Sequence, residues 1–411
     1  MDINEQERID AVSHYIRGDK PSDIYRGVNR SEKWLFKWVN RFKTGEKEWF
    51  KSRSRAPKQH AKKTNAEVEK VVVNIRKALM DGTDHESKYL GVGADAIQYR
   101  MVKLGFSEDE MPSVSTIKRI VKKYGLKVNK RERYKRVKSK KRYTILNPTQ
   151  IDEIHQMDFV GPRFIKGYGS IYSLNLIDVV CNRVWIEQYT SKKMSNVIEF
   201  LIRYWNDNPI PRYLQVDNGM YFIGDFKNPR KFSRVVRLCL YVGIEVVFIA
   251  PSSPWMNGSI ESFNNWFGSK FWDKETFTDL KDIRTKSTHF VCKYNDLSVW
   301  KKRNKELKQT KPVRILKNSA KINPDKLPLT DGKIHFIRQV DNNGTINVLN
   351  EVFNVGEEFI SEYIWATINT GKQRMEVYYR AQDQDVAALI KEFDYEIYEE
   401  IKLIRQDIWK T

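Results

Sequence analysis

Residues 251–265, PSSPWMNGSIESFNN, join a rigid turn to the start of a helix. Pro251 and Pro254 frame the turn, because proline fixes its own backbone angle φ. Asn257 and Gly258 stand at the predicted helix entrance, and Glu261 falls in the first helical turn. The apolar run just before the turn, EVVFIAP, is typical of a buried strand. This order of strand, turn and helix predicts that the backbone directs the Glu261 carboxylate into a site and not into solvent.

The surrounding residues 150–300 predict a mixed α/β domain. The segments IHQMDFV, YGSIYSLNLIDVV and RVWIEQYT have strand patterns, the last two as a hairpin, and SNVIEFLIRYWND is an amphipathic helix. A fourth strand in RYLQVDNG, a helix in KFSRVVRLCLYVGI and a fifth strand in EVVFIAP follow. A hairpin followed by alternating helices and strands predicts a mixed sheet and not an all-parallel one.

Two further acids stand where they could meet Glu261. Asp158 lies within the first strand, and Asp217 ends the fourth. Carboxylates suit Mg²⁺ or Mn²⁺, and two such ions about 3.5–4 Å apart can activate an attacking oxygen and stabilise the leaving oxygen at a phosphodiester. We therefore predict that Asp158, Asp217 and Glu261 converge and hold two divalent ions.

Each acid alone has a simpler explanation, since a first-turn glutamate favours the helix dipole and a strand-end aspartate often caps a turn. Four other acids rank lower because they lie in or beside apolar strands or in a polar loop: Asp178, Glu187, Glu245 and Asp225. Side chains alternate along a strand, so His155 faces away from Asp158, and Gln156 shares the Asp158 face. His155 is predicted to be a packing residue.

The distribution of charge indicates a nucleic-acid partner. The chain of 411 residues has 73 Lys and Arg against 52 Asp and Glu, a net charge of +21. Residues 1–142 alone have 36 basic and 19 acidic side chains, a net of +17. A basic excess of this size, without a basic amphipathic stripe or a lipidation motif, favours nucleic acid over a membrane surface.

Residues 1–50 predict a helix-turn-helix domain. Gly27 would end one helix and Ser31 would cap the next, whose aromatic residues recur at helical spacing. The polar face of that second helix would read the major groove of double-stranded DNA. Its candidate contacts are Lys33, Lys37, Asn40 and Arg41. A small helical bundle with a solvated basic face is the alternative.

Two basic linkers flank a second helical domain. Residues 51–63 form the first linker, in which Arg53 and Arg55 could enter a minor groove or belong to a plain spacer. Residues 64–126 predict a second helix-turn-helix or winged-helix-like domain, its last helix capped by Ser113 or Ser115. The candidate contacts there are Lys118, Arg119 and Lys122, and in the linker at residues 127–149 they are Arg131, Arg133, Lys135 and Arg136. The second linker could instead be a nuclear address.

The C-terminal part is predicted as a linker over residues 301–328, a small β-barrel over 329–380 and an amphipathic helix over 381–411. Period-two alternation indicates the barrel, and apolar residues at three- and four-residue steps indicate the helix, which would pack on its own domain or contact another protein. No apolar run is long enough to span a membrane, and no secretory signal begins the chain, so a cytoplasmic, nucleoid-associated protein is expected if the source is bacterial. The scattered Cys181, Cys239 and Cys292 are predicted as buried thiols.

At HQMDF, QVDNG and PSSPWMNGSIESFNN the sequence resembles the DDE transposases and integrases of the retroviral-integrase superfamily, most of all insertion-sequence transposases of the IS481 and IS3 type. The resemblance covers about residues 150–300 and includes the specific motif P-x-x-P-x-x-N-G-x-x-E. It implies an RNase H-like catalytic core in which Asp158, Asp217 and Glu261 bind two Mg²⁺ ions, with Asp158 bridging both. Family positions that shape the site are matched by Asn218, Gly219, Asn257 and Gly258.

The resemblance implies a DNA transposase in which water attacks the transposon end and the freed 3′-hydroxyl attacks target DNA. The chain departs from the family in the longer interval between Asp217 and Glu261, which contains the additional residues 223–231. Basic residues that relatives place four and seven positions after the glutamate are Asn265 and Gly268 here. The His/Cys zinc domain of retroviral integrases is not present.

Three functions follow as hypotheses. The leading one is a transposase that binds the terminal inverted repeats of its own element through residues 1–142 and acts as a homodimer or higher oligomer, with an accessory ATPase left open. The second is a sequence-specific DNA-binding regulator whose RNase H-like domain has lost catalysis. The third is a nuclease that cleaves without joining.

Overall fold

The computed structural model describes residues 2–53, 64–82, 85–128, 146–224, 230–317, 322–381 and 386–410. It has two compact units, Met1–Asn65 and Ala66–Thr411. The predicted second helical domain, the core and the C-terminal domain therefore all belong to one compact unit. None of the described helices is long and apolar enough to cross a membrane.

The first unit has three helices: α1 (Ile3–Ile16), α2 (Pro21–Gly27) and α3 (Glu32–Lys43). Ser31 caps α3 by accepting a hydrogen bond from the Trp34 amide, as its position predicts. Leu35 and Trp38 of α3 are buried against α1 and α2 in a small apolar core. The predicted pair of helices after Pro21 is therefore present, with the polar face of α3 left outside this core.

The second unit contains the remaining elements. Its helices are α4 (Ala66–Asp81), α5 (Ala94–Lys103), α6 (Val114–Lys123), α7 (Met194–Asp207), α8 (Met220–Ile223), α9 (Arg234–Tyr241), α10 (Gly258–Phe267) and α11 (Leu280–Lys302). Its longer strands are β2 (Ile154–Ile165), β3 (Gly169–Asp178), β4 (Val184–Tyr189), β5 (Tyr213–Val216), β6 (Glu245–Phe248), β10 (Lys333–Gln339), β13 (Tyr363–Asn369), β14 (Arg374–Tyr379) and β15 (Ala388–Asp394). Shorter strands are β1 (Gln150–Ile151), β7 (Lys308–Gln309), β8 (Ile315–Leu316), β9 (Leu329–Thr330), β11 (Thr345–Val348), β12 (Glu351–Asn354), β16 (Ile401–Lys402) and β17 (Trp409–Lys410).

The longer strands form one mixed, nine-stranded sheet in the order β15-β14-β13-β10-β6-β5-β2-β3-β4. Strands β10, β6, β5 and β2 run parallel to one another, whereas the β2-β3-β4 meander and the β10-β13-β14-β15 meander are antiparallel. Parallel strands share an edge at which all of their carboxyl ends meet, and ligands bind at such edges in open α/β sheets. The mixed sheet predicted for residues 150–300 is confirmed.

Helices pack on both faces of the sheet at β2 and β3. Helices α7 and α9 pack in one apolar cluster with strands β2, β5 and β6. Helices α10 and α11 pack in another cluster with residues of β2, β3 and β4. Tyr89, from the segment between α4 and α5, enters this second cluster, and Leu297 of α11 joins the core of α4, α5 and α6. The second helical group is thereby fixed to the helices that flank the sheet.

The predicted β-barrel over residues 329–380 is wrong. Strand β10 pairs in parallel with β6, with Phe336 opposite Phe248, and β13 and β14 extend the sheet further. Five consecutive residues of β10 are buried, Ile334 to Arg338, as in a central strand covered on both faces. Period-two alternation identifies strands in a sequence, but it does not say which strand is the neighbour.

The predicted C-terminal helix over residues 381–411 is also wrong. Residues 388–394 form strand β15, which pairs antiparallel with β14. The register shifts so that Lys391 opposes Val377 and Leu389 opposes Tyr378, which leaves Ile390 as an extra residue on β15. Such a bulge breaks the two-residue alternation. Ile390 and Phe393, three residues apart, therefore both pack on the core and imitate a helical stripe.

Two of the three predicted buried thiols are confirmed. Cys181 and Cys239 are buried, whereas Cys292 is exposed on α11. An apolar sequence neighbourhood does not determine which side of a helix a residue occupies, so this prediction was wrong for Cys292.

Candidate active site

Asp158 and Asp217 lie side by side at the carboxyl edge of the parallel strands. Gln156 of β2 pairs in register with Gln215 of β5, and each aspartate lies two residues further along the chain. Because side chains alternate along a strand, both aspartates point to the same face as the paired glutamines. Each is half-buried. Parallel pairing therefore brings together two acids that are far apart in sequence.

The two glutamines hold the entrance to α10. Gln156 Oε1 accepts hydrogen bonds from the amides of Ser259 (3.1 Å) and Ile260 (3.0 Å), in the first turn of the helix. Gln215 Nε2 donates to the carbonyl of Met256 (2.7 Å) and to Asn257 Oδ1 (3.2 Å). First-turn amides have no partner within their own helix, and here a side chain from β2 takes the place of a local cap.

Helix α10 reaches Asp158 directly. Asn264 Nδ2 donates to Asp158 Oδ2 at 2.9 Å, and Asn264 Oδ1 accepts from Asn175 Nδ2 of β3 at 2.8 Å. Glu261 is three residues before Asn264, and residues three apart share one face of a helix. Glu261 is half-buried on this face. Asn264 belongs to the stretch of residues 251–265 quoted at the outset, and its spacing from Glu261 was the available signal for it.

Both carboxylate oxygens of Asp217 are engaged. The Gly219 amide donates to Asp217 Oδ1 at 2.9 Å, and the Tyr221 hydroxyl donates to Oδ2 at 3.2 Å. A Cβ atom on Gly219 would lie 2.4 Å from the Tyr221 ring, so any larger residue would displace that ring. Around Gly258, by contrast, a Cβ atom would meet nothing within 4 Å. The loop after β5 therefore fixes the orientation of Asp217.

The surroundings of Asp158 do not fully compensate the negative charge of its carboxylate. Burial and the neighbouring Asp217 raise the pKa of Asp158 to about 7, although Lys192 and the Asn264 hydrogen bond act in the opposite direction. Lys192 Nζ lies 5.5 Å and 5.6 Å from the ring centroids of Tyr172 and Tyr221. Lys192 was missed at the sequence level, because it lies in the loop between β4 and α7 and nothing local connects it with the acids.

The donor set fits a divalent cation. Oxygen ligands suit Mg²⁺ or Mn²⁺, and a cation beside Asp158 would offset the burial and the neighbouring Asp217, which raise the pKa of Asp158. The ligand oxygens of Asp158, Asp217 and Glu261 do not all lie within 4.8 Å of one another in the described chain. Two ions about 3.5–4 Å apart occupy two separate positions, so the three carboxylates do not all have to meet at one point.

In the described chain, the one group of three His, Cys, Asp or Glu side chains that meets the 4.8 Å limit is Asp152, His155 and Asp178. His155 Nε2 lies 2.9 Å from Asp152 Oδ1, and the amides of Asp152, Val180 and Cys181 donate to Asp178. Burial lowers the pKa of His155, but the hydrogen bonds to both carboxylates outweigh burial and raise it. These contacts tie the start of β2 to the end of β3, as expected for a packing histidine.

The other lower-ranked acids also have protein partners. Glu187 pairs with Arg203 at 2.7 Å and with Arg284 at 2.8 Å, and Glu245 pairs with His335 at 2.7 Å. Asp225 lies outside the described residues, as does most of the insertion at residues 223–231.

The residues predicted to contact DNA differ in their exposure to solvent. Lys33, Lys37 and Asn40 are exposed on α3, and Lys118, Arg119 and Lys122 are exposed on α6. Arg41 is half-buried and donates to the Lys51 carbonyl at 3.0 Å, and Arg53 pairs with Glu46. The remaining predicted contacts lie outside the described residues: Arg55, Arg131, Arg133, Lys135 and Arg136.

Comparison with known proteins finds similarity in this part of the chain. Residues 242–297 match the model of the integrase core domain family. This segment runs from β6 through α10 into α11 and includes Glu261. No curated protein sequence is similar enough to count as a match.

Among solved structures, the integrase catalytic core domain of HTLV-2, in complex with magnesium and in a dimeric form, aligns with 34% of this chain and 85% of its own. The aligned residues are 14% identical, and the TM-score is 0.26. A TM-score this low supports no inference about the present chain.

Proposed function

We propose that this chain is a DDE-type DNA transposase, a polynucleotidyl transferase that cleaves 3′ ends and transfers them to target DNA. The observation that carries the proposal is the pairing of Gln156 with Gln215, which sets Asp158 and Asp217 side by side and fixes the first turn of α10, where Glu261 lies. The match of residues 242–297 to the integrase core domain family supports the same class of activity.

The proposed chemistry depends on the three carboxylates. Asp158, Asp217 and Glu261 would hold two Mg²⁺ or Mn²⁺ ions, with Asp158 between them. Such ions, when bound, activate the attacking oxygen and stabilise the leaving oxygen at a phosphodiester.

Neighbouring residues of the chain orient two of these carboxylates. Asn264 positions Asp158, and Gly219 and Tyr221 position Asp217. The Lys192 ammonium, which lies close enough to Asp158 to lower its pKa, provides positive charge for a phosphate oxygen beside that carboxylate.

DNA would be bound chiefly by the basic N-terminal part. We propose that α3 and α6 contact the terminal inverted repeats through their exposed basic residues, which fit the positive charge of residues 1–142. Joining two ends in one complex requires at least a dimer. The resemblance and the DNA-directed chemistry fit a cytoplasmic, nucleoid-associated protein in a bacterial source.

The test is a strand-transfer assay with labelled element ends, supercoiled target plasmid and Mg²⁺. Wild-type protein is expected to give joined products. Asp217→Asn keeps the size of the side chain but removes its charge, and should lower joining more than about 100-fold, beyond the usual effect of losing a partner of a metal ligand. DNA binding by Asp217→Asn, measured by gel shift, should be unchanged.

Asp394→Asn is the matched control, because the side chain of Asp394 is 96% exposed on β15, and it should join DNA like the wild type. Cleavage without joining would identify a nuclease instead. DNA binding with neither cleavage nor joining would identify the regulator. Undiminished joining by Asp217→Asn would refute the assignment of the site.

A further inference from the structure

We infer that Arg338, from the C-terminal part of the sheet, is a positioning residue for Asp217. The inference rests on the proposed function and extends it: the strands after residue 328 take part in building the active site. None of the site residues predicted from the sequence lies beyond Glu261, so this contribution comes from the observed strand order.

The strand order places Arg338 at the active-site edge. Strand β10 is parallel to β6, and β6 is parallel to β5, so the carboxyl ends of all three strands lie together. Arg338 is the second-last residue of β10, and Asp217 directly follows β5. One strand, β6, separates them.

A bridge of hydrogen bonds crosses β6 between these two ends. Arg338 Nη2 donates to Asn218 Oδ1 at 3.0 Å, and Asn218 Nδ2 donates to the Ile249 carbonyl, just after β6, at 2.6 Å. Both ends of the Asn218 amide are thus held. Asn218 is the residue after Asp217, so its fixed amide sets the direction in which the backbone leaves β5 and with it the direction of the Asp217 carboxylate.

The surroundings of Arg338 favour a geometric role over a simple ion pair. Its side chain is buried, with 7% of the residue exposed, and no carboxylate pairs with it in the part of the chain that the structure describes. Besides Asn218, its hydrogen-bond acceptors are the carbonyls of Ile337 (2.8 Å), Asn347 (2.8 Å) and Ile249 (3.4 Å).

Burying a cation without a counter-charge is costly. The planar guanidinium presents several donors in fixed directions, which a lysine cannot do. A buried arginine whose hydrogen-bond acceptors are all neutral oxygens and which reaches across β6 is well suited to hold a loop in place.

An open cavity of about 520 Å³ adjoins this bridge. It is lined on one side by Asn218, Ala250 and Pro251 of the active-site edge and on the other by Arg338, Asn347 and Tyr363. Removing the guanidinium would therefore leave a space that small solutes can enter from solvent. This makes chemical rescue possible.

The experiment uses the full-length protein in single-turnover cleavage and joining, with DNA affinity and Tm measured in parallel. Arg338→Ala is expected to lower the rate constant about 10- to 100-fold, the usual effect of removing a partner that orients a metal ligand. The Mg²⁺ concentration for half-maximal rate should rise, and DNA affinity should stay unchanged. A low, non-denaturing concentration of guanidinium should restore part of the rate.

Further variants distinguish a local effect on the active site from loss of folding. Asn218→Ala breaks the same bridge but leaves the buried Arg338 in place, and it should reproduce the rate loss. The rate constant of the double variant should be no lower than that of either single variant, since both substitutions break the same hydrogen-bonded link. Arg374→Ala, whose side chain is 50% exposed on β14, is the matched control and should respond neither in rate nor to guanidinium.

The outcomes separate the inference from the function on which it rests. Absence of cleavage and joining in the wild type would overturn the proposed function. Normal activity of the wild type together with an unchanged rate and Mg²⁺ response in Arg338→Ala and Asn218→Ala would overturn the inference alone. A rate loss that follows Tm and is not rescued by guanidinium would also overturn it.

Discussion

Asp158 is a carboxyl group whose ionisation the protein disfavours. Its pKa is raised to about 7 by burial first and by Asp217 second, with Lys192 only partly compensating. An acid with a raised pKa in the folded state holds its proton more tightly there than in the unfolded chain. Stability without metal must therefore fall as pH rises from the ordinary range of an aspartate, near 4, through about 7.

The substitution Asp158→Asn removes this titration. In the absence of divalent ions, we expect Asp158→Asn to be more stable than the wild type at pH 8 by on the order of 4 kcal/mol, since the pKa rises from 3.8 to about 7 and one pKa unit corresponds to about 1.4 kcal/mol. Toward about pH 3 the two proteins should approach equal stability, because the wild-type carboxyl is then mostly protonated in both the folded and the unfolded state. Urea unfolding followed at several pH values measures the difference.

Added Mg²⁺ should stabilise the wild type and not Asp158→Asn, because the ion binds the folded state through the carboxylate that the variant lacks. A stability difference that stays constant with pH would contradict the environment described for Asp158.

At the scale of single elements, α10 depends on a distant strand for its first turn. Gln156 accepts from the amides of Ser259 and Ile260, and no local side chain caps the helix. Replacing Gln156 by Leu leaves these amides without that acceptor, so the free energy of unfolding should fall by about 1–3 kcal/mol. Single-turnover cleavage should fall as well, because the position of Glu261 depends on this turn.

The matched variant Gln156→Glu keeps an acceptor oxygen and adds a negative charge at a helix N-terminus, where such a charge is favourable. It should retain most of the stability in urea unfolding. Equal destabilisation by Leu and Glu would show that the side-chain oxygen at position 156 does not cap α10.

Helix α3 offers a test of DNA binding by a single element. Lys33 and Lys37 are exposed on it, and each phosphate contact contributes a slope of about −0.9 to the dependence of log affinity on log salt for duplex DNA. Lys33→Gln with Lys37→Gln should therefore weaken binding and make the slope shallower by about 0.9 for each phosphate that the variant no longer neutralises. Fluorescence anisotropy over a salt series measures this.

The matched double variant replaces Lys326 and Lys391 by Gln. Both are exposed in the second unit, and neither is among the predicted DNA-binding residues. If this pair changed the slope as much as the α3 pair, the effect would reflect overall charge and not specific binding of phosphate by α3.

The sequence predicted many of the individual helices and strands, but few of the contacts between them. Strands β2, β5 and β6 and helices α7, α9 and α10 follow from periodicity and turn residues, and the acids follow from their positions in these elements. The hydrogen bonds from Gln156 and Gln215 to the start of α10 could not be predicted, because the sequence around a glutamine in a strand does not indicate which helix it will contact. The β14–β15 bulge had the opposite effect, since it made a strand imitate a helix.

At the scale of the molecule, the C-terminal strands β10, β13, β14 and β15 belong to the same sheet as β2, β5 and β6. The boundary near residue 328 marks a change in the sequence pattern but not a gap between folded bodies. At the β6–β10 contact Phe336 stacks on Phe248 with ring centroids 5.2 Å apart, and Glu245 bonds to His335 at 2.7 Å. Strand pairing between distant segments is set by tertiary packing, which local periodicity does not encode.

A continuous sheet predicts joint unfolding of its two parts. Phe336 is fully buried, so Phe336→Ala should lower the free energy of unfolding by about 3–5 kcal/mol. Hydrogen exchange in urea should show the loss of protection in β5 and in β13 together, because both pack through the same sheet. Phe164→Ala, at a position that is 78% exposed, is the matched control and should change neither. A separate barrel would instead lose the protection of β13 at lower urea and leave that of β5 unchanged, and this result would contradict the shared sheet and, with it, the contribution of Arg338 to the active site.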